Sequence, residues 1–156
     1  MTNILEEFKN EILKADEDAE VTFIKKGENG AARDVLLTVE HSFGSLANTA
    51  ETESFFVDKE EAGVEFFMSR IYVIREVSSE KGALICLTES LINDKLVGGA
   101  FGYDAESGTV SYTYSVPIAE TCTEEQKKML AESTMATALS EAQKYAGDLL
   151  LVANAD

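Results

Sequence analysis

Residues 97–116 read VGGAFGYDAESGTVSYTYSV. In the second half of this stretch Val110, Tyr112, Tyr114 and Val116 alternate without a break with Ser111, Thr113 and Ser115, the period-2 pattern of a strand with one buried face. The first half, 97–103, is rich in small and aromatic residues. Between the halves, Asp104 to Gly108 has hairpin-loop length and ends in the glycine such a loop needs. The stretch therefore predicts an antiparallel hairpin. Pro117 follows at once, where a missing N–H harms the strand least.

What flanks the hairpin is helical. Thr123 to Gln126 has capping-box spacing, and Ala131, Met135, Ala138, Ala142, Tyr145 and Leu149 carry an apolar face through a long final helix that Gly147 is placed to break near its end. Upstream, Ser78 and Ser79 stand as caps for a helix whose apolar positions Ala83, Leu84, Leu87 and Leu91 run to Asn93, with Gly82 weakening its first turn. Residues 64–77 (VEFFMSRIYVIREV) have apolar and β-branched residues at both parities, which predicts a central strand covered on both sides over part of its length.

In the first third, Asn3 and Glu6 resemble a capping box ahead of Leu5, Phe8, Ile12 and Ala15, so residues 3–15 should form an amphipathic helix. Residues 21–24 are β-rich, Asn29-Gly30 is a turn signal, and from Val35 the alternation of Val35, Leu37, Val39, His41 and Phe43 gives a second strand. Residues 44–62 mix Gly, Ser, Asn, Thr and acids around Phe55-Phe56-Val57 and read as a long loop or a short extra strand. The expected architecture is α+β, one domain over residues 1–156, with an antiparallel sheet of about five strands packed by helices in the order α-β-β-β-α-β-β-α.

The segment INDKLVGGAFGYDAESGTVSYTYSVPIAETCTEEQKKML, residues 92–130, resembles the type III secretion chaperone-like fold, in particular its bacterial sensory-transduction-regulator branch. The features that carry the likeness are Leu91 to Asn93, Gly99 and Phe101, Asp104 to Gly108, Tyr112 to Pro117, and Thr123 to Gln126. The likeness covers residues 80–150 well and residues 1–78 in element order only. It implies a dimer that binds extended or helical segments of partner proteins and needs no cofactor, while the glycine-bounded stretch 44–63 departs from the compact pattern.

Charge narrows the partners. Thirteen Lys and Arg against 29 Asp and Glu leave a net charge of -16, which repels nucleic acid and anionic membrane surfaces; its default reading is solubility, and the sharper alternative is attraction to a basic segment of another protein. No apolar run approaches the roughly 18 residues of a spanning helix, and the opening MTNILEEFKNEIL lacks the core of a signal peptide, so the expected compartment is the cytoplasm. Cys86 and Cys122 are too far apart for a redox pair and read as small packing residues.

Chemical motifs are scarce. His41, the only histidine, falls on the apolar side of its strand and reads as a partly buried structural residue, with no nucleophile elbow around any serine. Asp16, Asp18 and Glu20 have the alternate spacing of a calcium loop without its glycine or distal glutamate. Gly27 and Gly30, and Gly98-Gly99, match no phosphate-loop pattern and serve turns and close backbone approach. Tyr103, Tyr112 and Tyr114 lack the basic neighbours of a base-stacking platform. A non-enzymatic protein-binding domain is the expectation; the alternative is a small-molecule-binding domain or an enzyme working through carboxylates. The candidate partner-binding residues are Phe55, Phe56, Phe66, Phe67 and Tyr72. A two-fold homodimer is expected through Leu84, Leu87, Leu91, Val97, Phe101 and Tyr103, with the second copy covering the strand 64–77.

Overall fold

Asn3 opens the first helix, α1 (Ile4–Ala15), by accepting the Leu5 backbone N–H, and its amide donates to Asp34 at 2.8 Å, tying the helix to the chain ahead of the second strand. The structure, a computed structural model, describes residues 3–45 and 48–155; residues 46 and 47, part of the stretch expected as a loop, lie outside the described residues. After α1 come β1 (Val21–Ile24), β2 (Val35–Glu40), β3 (Ala50–Val57), the single turn α2 (Lys59–Ala62), β4 (Glu65–Ile74), α3 (Gly82–Asn93), β5 (Gly99–Asp104), β6 (Thr109–Ile118) and α4 (Glu124–Asn154).

The strands form one antiparallel sheet in the order β1-β2-β3-β4-β6-β5, so β4 is central as expected. The α+β class holds. The sheet has six strands, not about five, because the extra strand allowed for within residues 44–62 forms and is not short: β3 runs eight residues and pairs with both β2 and β4. The expected element order therefore gains one strand before α3.

Strand alternation sorts the side chains onto two faces. In β4, Phe67, Ser69, Ile71 and Val73 are fully buried, whereas Phe66, Met68, Arg70 and Tyr72 on the other face are half-buried; a bulge after Tyr72 returns Ile74 to the core side, opposite Val110. Leu5 and Phe8 of α1 pack with Leu36 and Phe67, Ile85 and Ile92 of α3 pack with Phe101 and Val110, and the alanines of α4 join both clusters, so all three long helices lie on one face. Cover on both sides of β4 was expected; the helices supply only one.

The long helix lies close to the sheet because Ala131, Ala138, Ala142 and Ala146, all solvent-inaccessible, keep its inner face thin. Its capping box forms as expected, with Thr123 accepting from the Gln126 N–H and Gln126 accepting from the Thr123 N–H. Gly147 does not break the helix. It admits the turn at Gly44: a Cβ there would lie 3.2 Å from the Gly44 carbonyl. Ahead of α3, residues Ser79–Lys81 form a 3-10 turn and Lys81 stands at the cap, so neither Ser78 nor Ser79 caps α3 with its hydroxyl. Pro117 sits one residue before the end of β6, where β5 no longer flanks that strand. Gly98 and Gly99 give Tyr114 and Tyr112 room to lie against the backbone: added Cβ atoms would meet those side chains at 2.6 and 2.1 Å.

Candidate binding surfaces

The uncovered face is apolar over β1 to β4. Val35 and Leu37 of β2, Phe55 and Val57 of β3, and Met68 of β4, joined by Ile24, line a groove of about 590 Å³ with Arg33, Arg70, Glu53 and Glu61 at its polar positions. Register places Phe55 opposite Met68 and Glu53 opposite Arg70, with Phe66 and Tyr72 continuing the same face along β4. Toward β6 the face turns small and polar, through Ser111, Thr113 and Ser115.

This protein has only three arginines, Arg33, Arg70 and Arg75, and all three are on this face. The Arg33 guanidinium lies 5.0 Å over the Phe55 ring and bonds Glu61 at 3.1 Å. Arg75 lies 4.5 Å over Tyr72 and bonds Glu51 at 3.1 Å, and Arg70 Nη2 approaches Met68 Sδ at 3.8 Å. Tyr72 donates to Glu53 at 3.0 Å; burial first, and the Glu53 carboxylate second, raise its pKa and keep the hydroxyl a donor. Arg33 and Arg75 thus each lie over an aromatic ring and within reach of a carboxylate, and Arg70 lies beside a thioether, an arrangement of amphipathic groups suited to contact.

Of the expected partner-binding residues, Phe55, Phe66 and Tyr72 are on this face. Phe56 and Phe67 are not. They point into the helix-covered core, rings 4.9 Å apart, with Phe67 fully buried, because their positions in β3 and β4 have the opposite parity. Leu37, Met68 and the arginines were missed. Their signal was in the sequence: Arg70 and Met68 alternate with the buried Phe67, Ser69 and Ile71.

The expected dimer residues also divide. Leu84, Leu87 and Leu91 are 47, 58 and 60 % exposed in a row along the outer side of α3, and Val97 beyond the helix is 99 % exposed. Phe101 is buried against Tyr112, and Tyr103 packs on Gly82, so both belong to the core side and not to an outer surface. Cys86, expected as a packing residue, is exposed on α3. The inner side of α3 presents Ile85, Ile92 and Glu89; the Glu89 carboxyl is buried, its Oε1 has no partner among the described residues, and burial pushes its pKa up to about 7. Because α3 lies in the helix layer, a second copy docked on it cannot cover the bare face of β4.

His41 is exposed, not partly buried: it lies beyond the end of β2, with Nε2 3.0 Å from Glu20. Among the described residues no three His, Cys, Asp or Glu side chains are grouped to hold a metal ion, and no helix is long and apolar enough to cross a membrane. No protein-family model matches the chain, and no curated protein or solved structure matches it.

Proposed function

We propose that this chain is a non-enzymatic binding domain, a chaperone-like or regulatory adaptor, that seats a segment of a partner protein on the uncovered face of β1 to β4. The observation that carries the reading is the gathering of all three arginines onto Phe55, Met68 and Tyr72 on that face. Arg, Tyr, Phe and Met are the residues enriched at the centres of protein interfaces, and Arg and Tyr are common hot spots. The face is also charge-balanced locally, since Arg33 and Arg75 have carboxylate partners in Glu61 and Glu51. Its occupant is a segment with aliphatic side chains for the groove and basic flanks, because the rest of a chain of net charge -16 attracts cations at long range. The resemblance to secretion chaperones supports the same occupant, and a cytoplasmic, cofactor-free domain fits it.

The test compares wild type with Leu37→Asp and Met68→Asp, both half-buried changes on the bare face, and with Leu87→Asp on α3. A protein captured by wild type should be lost by the first two variants and kept by the third. Titrating a synthetic basic-flanked segment of that partner should then shift backbone amide signals of β2, β3 and β4. Capture unchanged by both face variants, or turnover of a metabolite by the purified chain, overturns the reading.

A second reading concerns self-association. The row Leu84, Leu87, Leu91 at helical spacing on the outside of α3, continued by Val97, favours a two-fold dimer through paired α3 helices. Light scattering across a broad concentration range should give a dimer that Leu87→Asp dissociates with helix content retained. A strictly monomeric mass overturns it.

A further inference from the structure

The core is cut in two by a band of hydroxyls. Phe56, Phe67, Val116 and Ile118 belong to one apolar cluster, Ala50, Ile71, Val110 and Tyr112 to the other, and between them, on the same face, lie Thr52 and Ser54 of β3 and Ser69 of β4. Ser54 and Ser69 satisfy each other at 2.8 Å. Thr52 is 4 % exposed, and its Oγ1 has no hydrogen-bond partner among the described residues. A buried hydroxyl without a partner costs stability that valine, of nearly the same volume, would not, so Thr52 is a position where a hydrogen-bonding group from outside the chain would be favoured.

Thr52 borders a cleft. A space of about 510 Å³ separates the C-terminal end of α1 from the middle of α4, within the range of small-molecule sites. Thr38, Thr52 and Ser54 form its floor, Ile12, Met135 and Leu139 its apolar walls, and Asp16, Asp18, Glu20 and Glu40 stand around it beside the single His41, which is bonded to Glu20. Three layers of chemistry thus meet: unspent hydrogen-bonding capacity at the bottom, apolar walls, and an excess of carboxylates around them.

We propose that this cleft binds a small organic amine: a protonated amino group attracted by the carboxylates that stand around it, an aryl or alkyl body between Ile12, Met135 and Leu139, and a hydroxyl or carbonyl at the far end pairing with Thr52. A carboxylate ligand is repelled by the surrounding acids, and a wholly apolar one leaves Thr52 unpaired. This site is on the helix-covered side of the sheet and is independent of the partner-binding face.

Titration followed by amide NMR tests it, using 4-hydroxybenzylamine, tyramine and 3-(4-hydroxyphenyl)propylamine as a length series, with phenethylamine and 4-hydroxyphenylacetate as controls. At least one hydroxylated amine should produce saturable shifts at Thr38, Thr52 and Leu139. Tyramine's anionic analogue should bind at least tenfold more weakly. Thr52→Val, which keeps the shape, should erase the preference for tyramine over phenethylamine, and Met135→Trp should block binding of every amine while leaving the fold's amide dispersion intact. Absence of saturable shifts for the whole series, or 4-hydroxyphenylacetate binding as tightly as tyramine, overturns the proposal. A Thr52→Val chain that keeps the full preference overturns the role of the floor.

Discussion

Phe66 and Phe67 are neighbours in one strand, yet Phe67 lies on the face that helices bury and Phe66 on a face that no helix among the described residues covers. The covered face is built from thin alanines, aliphatic side chains and a band of hydroxyls; the bare face is built from aromatics, methionine and arginine. The first composition suits an interior that must close without voids. The second suits contact that forms and breaks in water, because Arg33 and Arg75 each already have a ring and a carboxylate, and Arg70 a thioether, to rest on when no partner is present. Apolar content alone does not distinguish a core face from a binding face; the kind of polar residue interleaved with it does.

The sharpest way to break that comparison is to truncate both phenylalanines. Phe67→Ala should cost about 3 to 5 kcal/mol, since it empties a fully enclosed site between α1 and the sheet, while Phe66→Ala should cost under about 1 kcal/mol. Denaturant midpoints measure both. Equal costs would mean that the bare face is covered in solution, and concentration-dependent midpoints would identify a second copy as the cover.

The next effect comes from α3, where a carboxyl occupies an inward position. Unfolded, Glu89 ionises near 4.5; folded, burial lifts it to about 7. Below pH 4.5 both states hold the proton and Glu89 costs nothing as an acid. Between pH 4.5 and 7 the unfolded chain releases its proton more readily, so stability falls as pH rises, and above 7 the full penalty applies. Glu89→Gln should therefore stabilise the protein at pH 8 by about 1 to 3 kcal/mol and leave it unchanged at pH 4. A variant whose gain is the same at both pH values would show that packing, not ionisation, is responsible.

These two regions also show what the sequence could and could not reveal. The hairpin of β5 and β6 and both outer helices were legible because their apolar residues keep a single period. β3 was not, since AETESFFV crosses the hydroxyl band: Glu51 and Glu53 fall on one face and Thr52 and Ser54 on the other, so neither parity is apolar over its first half. In β4 both parities are apolar, and that pattern is the same whether the second face is covered by helices or kept for a partner. α3 is apolar all round, with Ile85 and Ile92 inward and Leu84, Leu87 and Leu91 outward, so spacing alone could not say which side packs. Hydroxyls in a core are visible in sequence only once register is known, which is why the Thr52 cleft was not anticipated.

The smallest effects separate the faces by how strongly pairs are coupled. Ser54 and Ser69 share one buried hydrogen bond, and removing either leaves the other hydroxyl without that partner, so each single change to alanine should cost about 1 to 2 kcal/mol. Removing both takes away the stranded group along with the bond, so the double variant should be less destabilised than the sum of the singles by about 1 kcal/mol. On the opposite face Arg75 and Glu51 also meet at 3.1 Å, but both are more than half exposed, water and salt screen them, and either partner is solvated once the other is gone. Their coupling in the same kind of cycle should stay under about 0.5 kcal/mol and fall further in 0.5 M salt. Coupling at Arg75–Glu51 as large as at Ser54–Ser69, and insensitive to salt, would show that the pair is shielded from water and that the face is not open.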